Sequence, residues 1–116
     1  MFDINTVKGA LEALGIPYTW HSYIAVPPSH CFATYDTPSV RWEGGDDIAP
    51  VRFTSVQAVI FYSASKTAED FQTEERFEAA VMCCEGFRKR SGYDSTNNLF
   101  YSEYTFNEYG EVLNYD

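Results

Sequence analysis

The sequence predicts an α+β fold, a mostly antiparallel four-stranded sheet with two helices in the order α-β-β-β-α-β. Three observations predict it. Two segments place apolar residues at helical spacing, four segments are rich in aromatic and β-branched residues, and glycine or proline separates most of them. A chain of 116 residues fits one hydrophobic core, so we expect a single domain over 1–116.

The first predicted helix covers Thr6 to Leu14. Val7, Leu11 and the final leucine recur on one side and form an apolar stripe. Asp3 or Asn5 can cap its first turn, and a glycine and a proline follow its last residue. Because the helix is short, we expect the stripe to pack on the rest of the domain.

Four segments are predicted to be strands: Tyr18 to Ile24, Ser29 to Tyr35, Val51 to Tyr62 and Leu99 to Asn107. The third is the clearest. Both of its faces become apolar toward its end, which predicts a central strand covered there on both sides. The glycine- and aspartate-rich segment Glu43 to Asp47 is predicted to be the tip of a long hairpin.

The second predicted helix covers Ala68 to Glu85. Thr67 and Asp70 have the spacing of a capping box. The apolar stripe expected to face the core consists of Phe77, Ala80, Val81 and Cys84. Gly86 is predicted to close the helix, and the basic run Arg88-Lys89-Arg90 follows the negative end of the helix dipole. The segment from Ser91 to Asn98 is expected to be a polar loop.

The charge of the chain disfavours nucleic-acid and anionic-lipid binding. Seventeen acidic and eight basic residues give a formal net charge of −9, which repels phosphate-rich partners. No run of 18 apolar residues predicts a membrane span, and the start of the chain does not resemble a signal peptide. Three cysteines form no disulfide framework, so we expect synthesis and assembly in the cytoplasm.

No residue pattern predicts catalysis, a metal or a cofactor. Cys83 and Cys84 are neighbours on a predicted helix and diverge by about 100° around its axis, so they do not converge on one ion. His21, His30 and Cys31 could form a His–Cys pair, but no orienting group or oxyanion donor accompanies them. We therefore expect a protein that is not an enzyme.

Two charged segments are candidates for contacts with partners. The acidic hairpin tip, with Glu43, Asp46 and Asp47, is a candidate interface loop. The basic run Arg88, Lys89 and Arg90 either balances the end of the second helix or contacts an acidic partner surface.

The order of several short motifs resembles the small tail-completion, or tail-terminator, proteins of long-tailed bacteriophages. Those proteins often open with a helix that ends in Leu-Gly-Ile-Pro. The resemblance covers nearly the whole chain and uses the segment from Ala10 to Tyr18, Pro27-Pro28 running into Cys31 to Tyr35, Phe61-Tyr62-Ser63, the acidic helix segment from Glu74 to Ala80, and Tyr101, Tyr104 and Phe106.

This resemblance implies a sheet with helices on one face and a virion structural subunit. Six copies would form a homo-oligomeric ring that caps the tail tube, joins it to the head connector or stopper protein, and lets DNA pass without specific binding. Acidic residues, from Glu43 to Asp47 or from the acidic helix, would then face the lumen. The alternative is a small acidic protein-binding module or DNA mimic, and a thiol enzyme using Cys31 is a third hypothesis.

Overall fold

The computed structural model of the protein describes residues 2–21, 30–45, 48–82 and 86–112. Within these residues it forms two helices and six strands, which in chain order are α1 (Ile4–Ala13), β1 (Tyr18–Trp20), β2 (Cys31–Asp36), β3 (Val40–Gly45), β4 (Ile48–Tyr62), α2 (Ala68–Met82), β5 (Phe87–Asp94) and β6 (Leu99–Val112). The α+β class and its two helices are confirmed. The four-stranded sheet and the order α-β-β-β-α-β are wrong, because the order is α-β-β-β-β-α-β-β.

The prediction missed strands β3 and β5. Strand β3 ends in two glycines, and β5 begins with the basic run that was assigned to the end of a helix. Both segments have weak strand propensity, but each pairs along its length with a longer strand, which overrides local preference. The predicted loop from Ser91 to Asn98 is therefore too long, because only residues 95–98 form a turn in the structure.

The sheet has the order β1-β2-β4-β6-β5, and β3 pairs with the first half of β4. The β1–β2 pair is parallel, whereas the other described pairs are antiparallel. Strand β4 lies between β2 and β6, so its predicted central position is confirmed. Strand β5 forms one edge of the sheet.

The helices cover one face of the sheet. On β4, Thr54, Val56, Ala58, Ile60 and Tyr62 are buried, while the residues between them are partly exposed. The buried set packs with Val7 and Leu11 of α1 and with Phe77 and Val81 of α2. On the opposite face, Phe32 of β2 lies beside Phe61 at the end of β4, is only 3% exposed and stacks on the Phe61 ring with centroids 5.2 Å apart. The expected cover on both sides is therefore present in part, next to β2.

Three strands extend beyond this core and form what we call the arm: β3, residues 48–55 of β4 and residues 107–112 of β6. None of the buried hydrophobic residues of the described chain lies in the arm. A register shift separates the pairs Val56–Phe106 and Thr54–Tyr109, which places a bulge where the arm begins. The molecule is accordingly elongated, with extents of 54 × 30 × 22 Å.

The start of α1 follows the sequence closely. The Oδ1 atom of Asp3 accepts hydrogen bonds from the backbone N–H groups of Asn5 at 2.9 Å and Thr6 at 3.1 Å, so Asp3 rather than Asn5 is the cap. The helix begins two residues earlier than predicted, at Ile4. After it, Gly15 adopts φ 72°, a left-handed conformation that suits glycine at a helix end.

The first two strands are shorter in the described residues than predicted. Strand β1 ends at Trp20, and His21 has φ 68°. The remainder of the segment to Ile24 lies outside the described residues, as does Ser29, the predicted start of the second strand. Strand β2 is described from Cys31.

The buried side of helix α2 agrees in part with the predicted one, since Phe77 and Val81 are both buried. Its capping box is confirmed, because the Asp70 carboxylate accepts the Thr67 N–H at 2.9 Å and Thr67 Oγ1 accepts the Asp70 N–H at 3.2 Å. Phe77 is buried as expected, but Ala80 is exposed. The buried stripe instead includes polar residues, and its members are Asp70, Thr73, Glu74, Phe77 and Val81. Cys83 to Glu85 lie outside the described residues.

Candidate interaction surfaces

The predicted basic run is divided between the two faces of the sheet. It lies on edge strand β5, where successive side chains point to opposite faces. Lys89 points to the face of the sheet that the helices cover. Arg88 and Arg90 point to the opposite face, which we call the open face. The two arginines are therefore the members of the run that a partner on the open face would meet. Helix α2 is described only to Met82, so the helix-end role of the run stays a prediction.

Lys89 belongs to an ionic network centred on the buried side chain of Glu74. The Glu74 side chain is 1% exposed, and its Oε1 lies 2.8 Å from Lys89 Nζ. That contact is an ion pair without good hydrogen-bond geometry, since Oε1 has no hydrogen-bond partner. Lys66 Nζ lies 3.1 Å from Oε2, which also accepts hydrogen bonds from Ser102 Oγ at 2.7 Å and from the Tyr62 hydroxyl. A buried carboxylate requires this degree of compensation.

A second layer surrounds the network. Lys89 Nζ also lies 3.0 Å from Oε2 of Glu78, and the Tyr104 hydroxyl donates to the same oxygen at 3.0 Å. Lys66 Nζ donates to Ser102 Oγ at 2.6 Å. The network thereby joins α2, the loop before it, β4, β5 and β6.

Burial and bonding act in opposite directions on the pKa of Glu74. Burial alone raises this pKa, but the charge of Lys89, hydrogen bonds from Tyr62 and Ser102, and the charge of Lys66 outweigh burial and lower it from 4.5 to about 2. Burial and the neighbouring carboxylates raise the pKa values of Tyr62 and Tyr104. The carboxylate is therefore ionised and the phenols are neutral at neutral pH.

The open face carries an apolar floor next to the two arginines. Phe61, Tyr101 and Gly92 are directly opposite one another on β4, β6 and β5. The Tyr101 ring lies over Gly92, where an added Cβ would stand 2.6 Å from the tyrosine hydroxyl. Val59, Phe61 and Tyr101, with Asp94 and Glu103 among the flanking residues, line a shallow groove of about 360 Å³.

The arginines beside this groove have few partners within the chain. Arg88 is exposed and makes no ion pair with a described residue. The Arg90 side chain is 72% exposed, and its guanidinium reaches Glu103 only at 3.7 Å. A long ion pair between exposed groups contributes little to the free energy of folding. Both arginines can therefore bind acidic groups of a partner at little cost to stability.

The arm presents aromatic residues paired with charges. Trp42 is 50% exposed, and Arg52 lies over its ring at 5.9 Å and bonds Glu111 at 3.1 Å. On the other face, Arg41 lies 4.2 Å from the centre of the Phe53 ring. These contacts hold the strands together without giving the arm an apolar core of its own.

The predicted acidic tip lies at the far end of the arm. Glu43 is exposed on β3 and forms an ion pair with Arg41. Asp46 and Asp47 lie outside the described residues. Gly45 pairs with Ile48 across this end, which agrees with a hairpin there.

His30 joins three elements near the start of α2. Its Nε2 lies 2.9 Å from Oδ2 of Asp70, and its Nδ1 lies 3.0 Å from Oγ of Ser63. Both ring nitrogens are thus occupied, so His30 is not placed as a base for Cys31. Burial, followed by the charges of Asp70 and Glu74, raises the pKa of the Cys31 thiol to about 11.

This arrangement resembles a nucleophile–histidine–carboxylate relay in outline only. The Asp70 carboxylate also caps α2, which makes it part of the helix start. No spacing signal predicts the cluster, because its members come from three separate segments. Among the described residues, no group of three or more potential ligands could hold a metal ion, and neither helix is long and apolar enough to cross a membrane.

Comparison with known proteins gives no sequence match and a weak structural similarity. No protein-family model matches the chain, and no curated protein sequence matches it. Its fold is weakly similar to the sheath/tube terminator of PVC, an extracellular contractile injection system, in the extended state, with a TM-score of 0.36 and 12% identity. The match covers 99% of this chain and 58% of that chain, so the chain spans little more than half the length of the terminator.

Proposed function

We propose that this chain is a structural subunit of a phage tail, a terminator that forms a ring on the tail tube and joins it to the head connector. The observation that carries the proposal is the incomplete cover of the sheet. One face is packed by helices, whereas the open face and the arm leave aromatic and aliphatic side chains at the surface. Such surfaces are typical of subunits that complete their packing on assembly.

The arm carries part of the exposed apolar surface. Of the seven exposed large hydrophobic residues in the described chain, three lie on the arm, and these are Val40 at 48%, Trp42 at 50% and Val112 at 61%. The motif order that resembles tail terminators supports the same role independently of the coordinates. Non-enzymatic action is part of this proposal.

DNA passage is the second part of the proposal. A net charge of −9 would keep the lumen of a ring repulsive to DNA, which then slides without binding. Glu43, with Asp46 and Asp47 beyond it in sequence, remains our candidate for the lumen or for an interface. Charge reversal at Asp46 and Asp47 should leave the fold intact and impair ring assembly or DNA passage.

The DNA-mimic alternative is less well supported by the arrangement of the carboxylates. A mimic needs free carboxylates along one face at phosphate-like spacing. Eight described acidic side chains instead lie within 4.0 Å of basic or histidine nitrogens, and these are Asp36, Glu43, Asp70, Glu74, Glu78, Glu103, Glu108 and Glu111.

Electron microscopy of particles that lack the protein tests the proposal. A phage or lysogen with an early stop codon in this gene should produce full heads beside separate tails, with overlong tails where length control fails. Particles of normal shape and infectivity would contradict the assembly role and would favour the binding-module alternative.

A further inference from the structure

The open face of the sheet and the outer side of α2 are two different surfaces of the same chain, and neither has a described partner. On the open face, Arg88 and Arg90 flank the apolar groove over Phe61 and Tyr101. A sheet whose second face is partly apolar is normally covered by another layer. The charge of strand β5 indicates which surface packs on this face.

Edge strand β5 is a basic element of an acidic molecule. It contains Arg88, Lys89, Arg90 and Asp94, a net charge of +2, so the rest of the chain carries −9 − 2 = −11. A second copy of the chain therefore offers acidic surface to β5. Complementary charge of this kind orients an encounter and fixes its register.

The outer side of α2 has the properties that fit the open face. Glu69 and Glu75 are exposed there and form no ion pair with a described residue, while Arg76 lies beside them. Phe71 and Met82 on the same helix are 52% and 61% exposed. At 100° per residue, Phe71 and Met82 lie on the flank of the helix next to Glu75, away from Glu69, and Lys66 Nζ lies 5.5 Å from the Phe71 ring. The outer side of the helix thus presents two unpaired carboxylates with apolar side chains along one flank.

We propose that the outer side of α2 in one copy docks on the open face of a second copy, with Glu69 and Glu75 facing Arg88 and Arg90. The proposal deepens the ring function proposed above and rests on it for its biological use. The two surfaces differ, so the contact is heterologous, and contacts of that kind repeat around a ring. Each helix layer then covers the uncovered sheet face of its neighbour.

Charge reversal tests the proposal with the purified full-length chain. We expect the wild-type protein to self-associate at low ionic strength. Its self-association should weaken as NaCl is raised to about 0.5 M, because salt screens exposed charges. The variant R88E/R90E should associate at least about tenfold more weakly by sedimentation velocity. The matched control compares two single variants, Arg88→Glu and Lys8→Glu. Both residues are exposed and both substitutions change the charge equally, so only Arg88→Glu should weaken association.

A mixing experiment identifies the second surface. The variants R88E/R90E and E69K/E75K each place like charges in the contact, so each alone should be monomeric. Mixed in equal amounts they restore opposite charges at every contact and should associate again. Circular dichroism and urea unfolding of each variant establish that it is folded before association is compared.

Three outcomes would overturn the proposal. They are a wild-type chain that remains monomeric up to about 1 mM at low salt, a folded R88E/R90E variant that associates like the wild type, and a mixture of the two variants that remains monomeric. The stop-codon phenotype measures the tail role without reference to this contact. A defective tail with unchanged association of R88E/R90E would thus reject the docking mode and retain the function.

Discussion

The Glu74 carboxylate lies 2.8 Å from Lys89 Nζ, across the space between helix α2 and edge strand β5. The contact unites a buried acid on the apolar side of a helix with the middle residue of a basic run. It explains why that run is divided, with its two arginines left outside. One buried ion pair therefore sets which charges the open face presents.

Removal of the Glu74 charge should destabilise the fold. Glu74→Gln keeps the shape of the side chain but leaves Lys66 and Lys89 without their carboxylate, and we expect a loss of about 3 kcal/mol in the free energy of unfolding. Urea unfolding at pH 7 measures it. Glu75→Gln is the control because Glu75 is exposed, and it should change stability by less than about 0.5 kcal/mol. Equal effects of the two changes would contradict the network.

The same carboxylate should make stability depend on acid pH. The pKa of Glu74 is lowered from 4.5 to about 2 on folding, so its contribution is complete above pH 4.5 and is lost as pH falls toward 2. The fall corresponds to about 3 kcal/mol. Urea midpoints measured between pH 7 and pH 2 should decline more steeply for the wild type than for Glu74→Gln. Parallel profiles would show that Glu74 does not carry the dependence.

The contact between Gly92 and Tyr101 predicts a coupled pair of substitutions. An alanine Cβ at position 92 would stand 2.6 Å from the tyrosine hydroxyl, so Gly92→Ala should displace the ring and cost about 1–2 kcal/mol. In a Tyr101→Ala background the same change should be neutral or stabilising, since glycine weakens a strand. Four urea curves complete the double-mutant cycle. Additive effects would mean that the ring does not lie over the glycine.

Loss of the α2 cap should also be measurable. Asp70→Ala removes the acceptor for the Thr67 N–H and for His30, and we expect a loss of about 1–2 kcal/mol. Glu69→Ala is the neighbouring control, because Glu69 is exposed and bonds neither group. If both variants unfold at the same urea concentration, the capping role of Asp70 is wrong.

Local signals predicted the helices and the central strand. Asp3, the Thr67–Asp70 box and the apolar run of β4 act over a few residues, and the cap, the capping box and the central position of β4 are all found in the structure. Strand β5 could not be predicted in this way. Its residues form a strand because they pair with β6, and local strand propensity does not reflect pairing with another segment.

The candidate site was predictable only in part. The basic run was recognised as a surface for partners, but its division into inward and outward residues depends on Glu74, fourteen or more residues away from each arginine. One signal for the network was present in the sequence. Glu74 lies between Asp70 and Phe77 at helical spacing, which places a carboxylate on the buried stripe. Its lysine partners come from other segments and had to be found in the fold.

In vitro complementation tests the proposed tail role most directly. Lysates of the stop-codon mutant contain heads and tails that, on this account, lack only this protein. Addition of the purified chain should restore joined particles and infectivity, and heat-unfolded chain should restore neither. Lysates that remain non-infectious with folded protein, or that are infectious without it, would contradict the claim that this chain completes the tail.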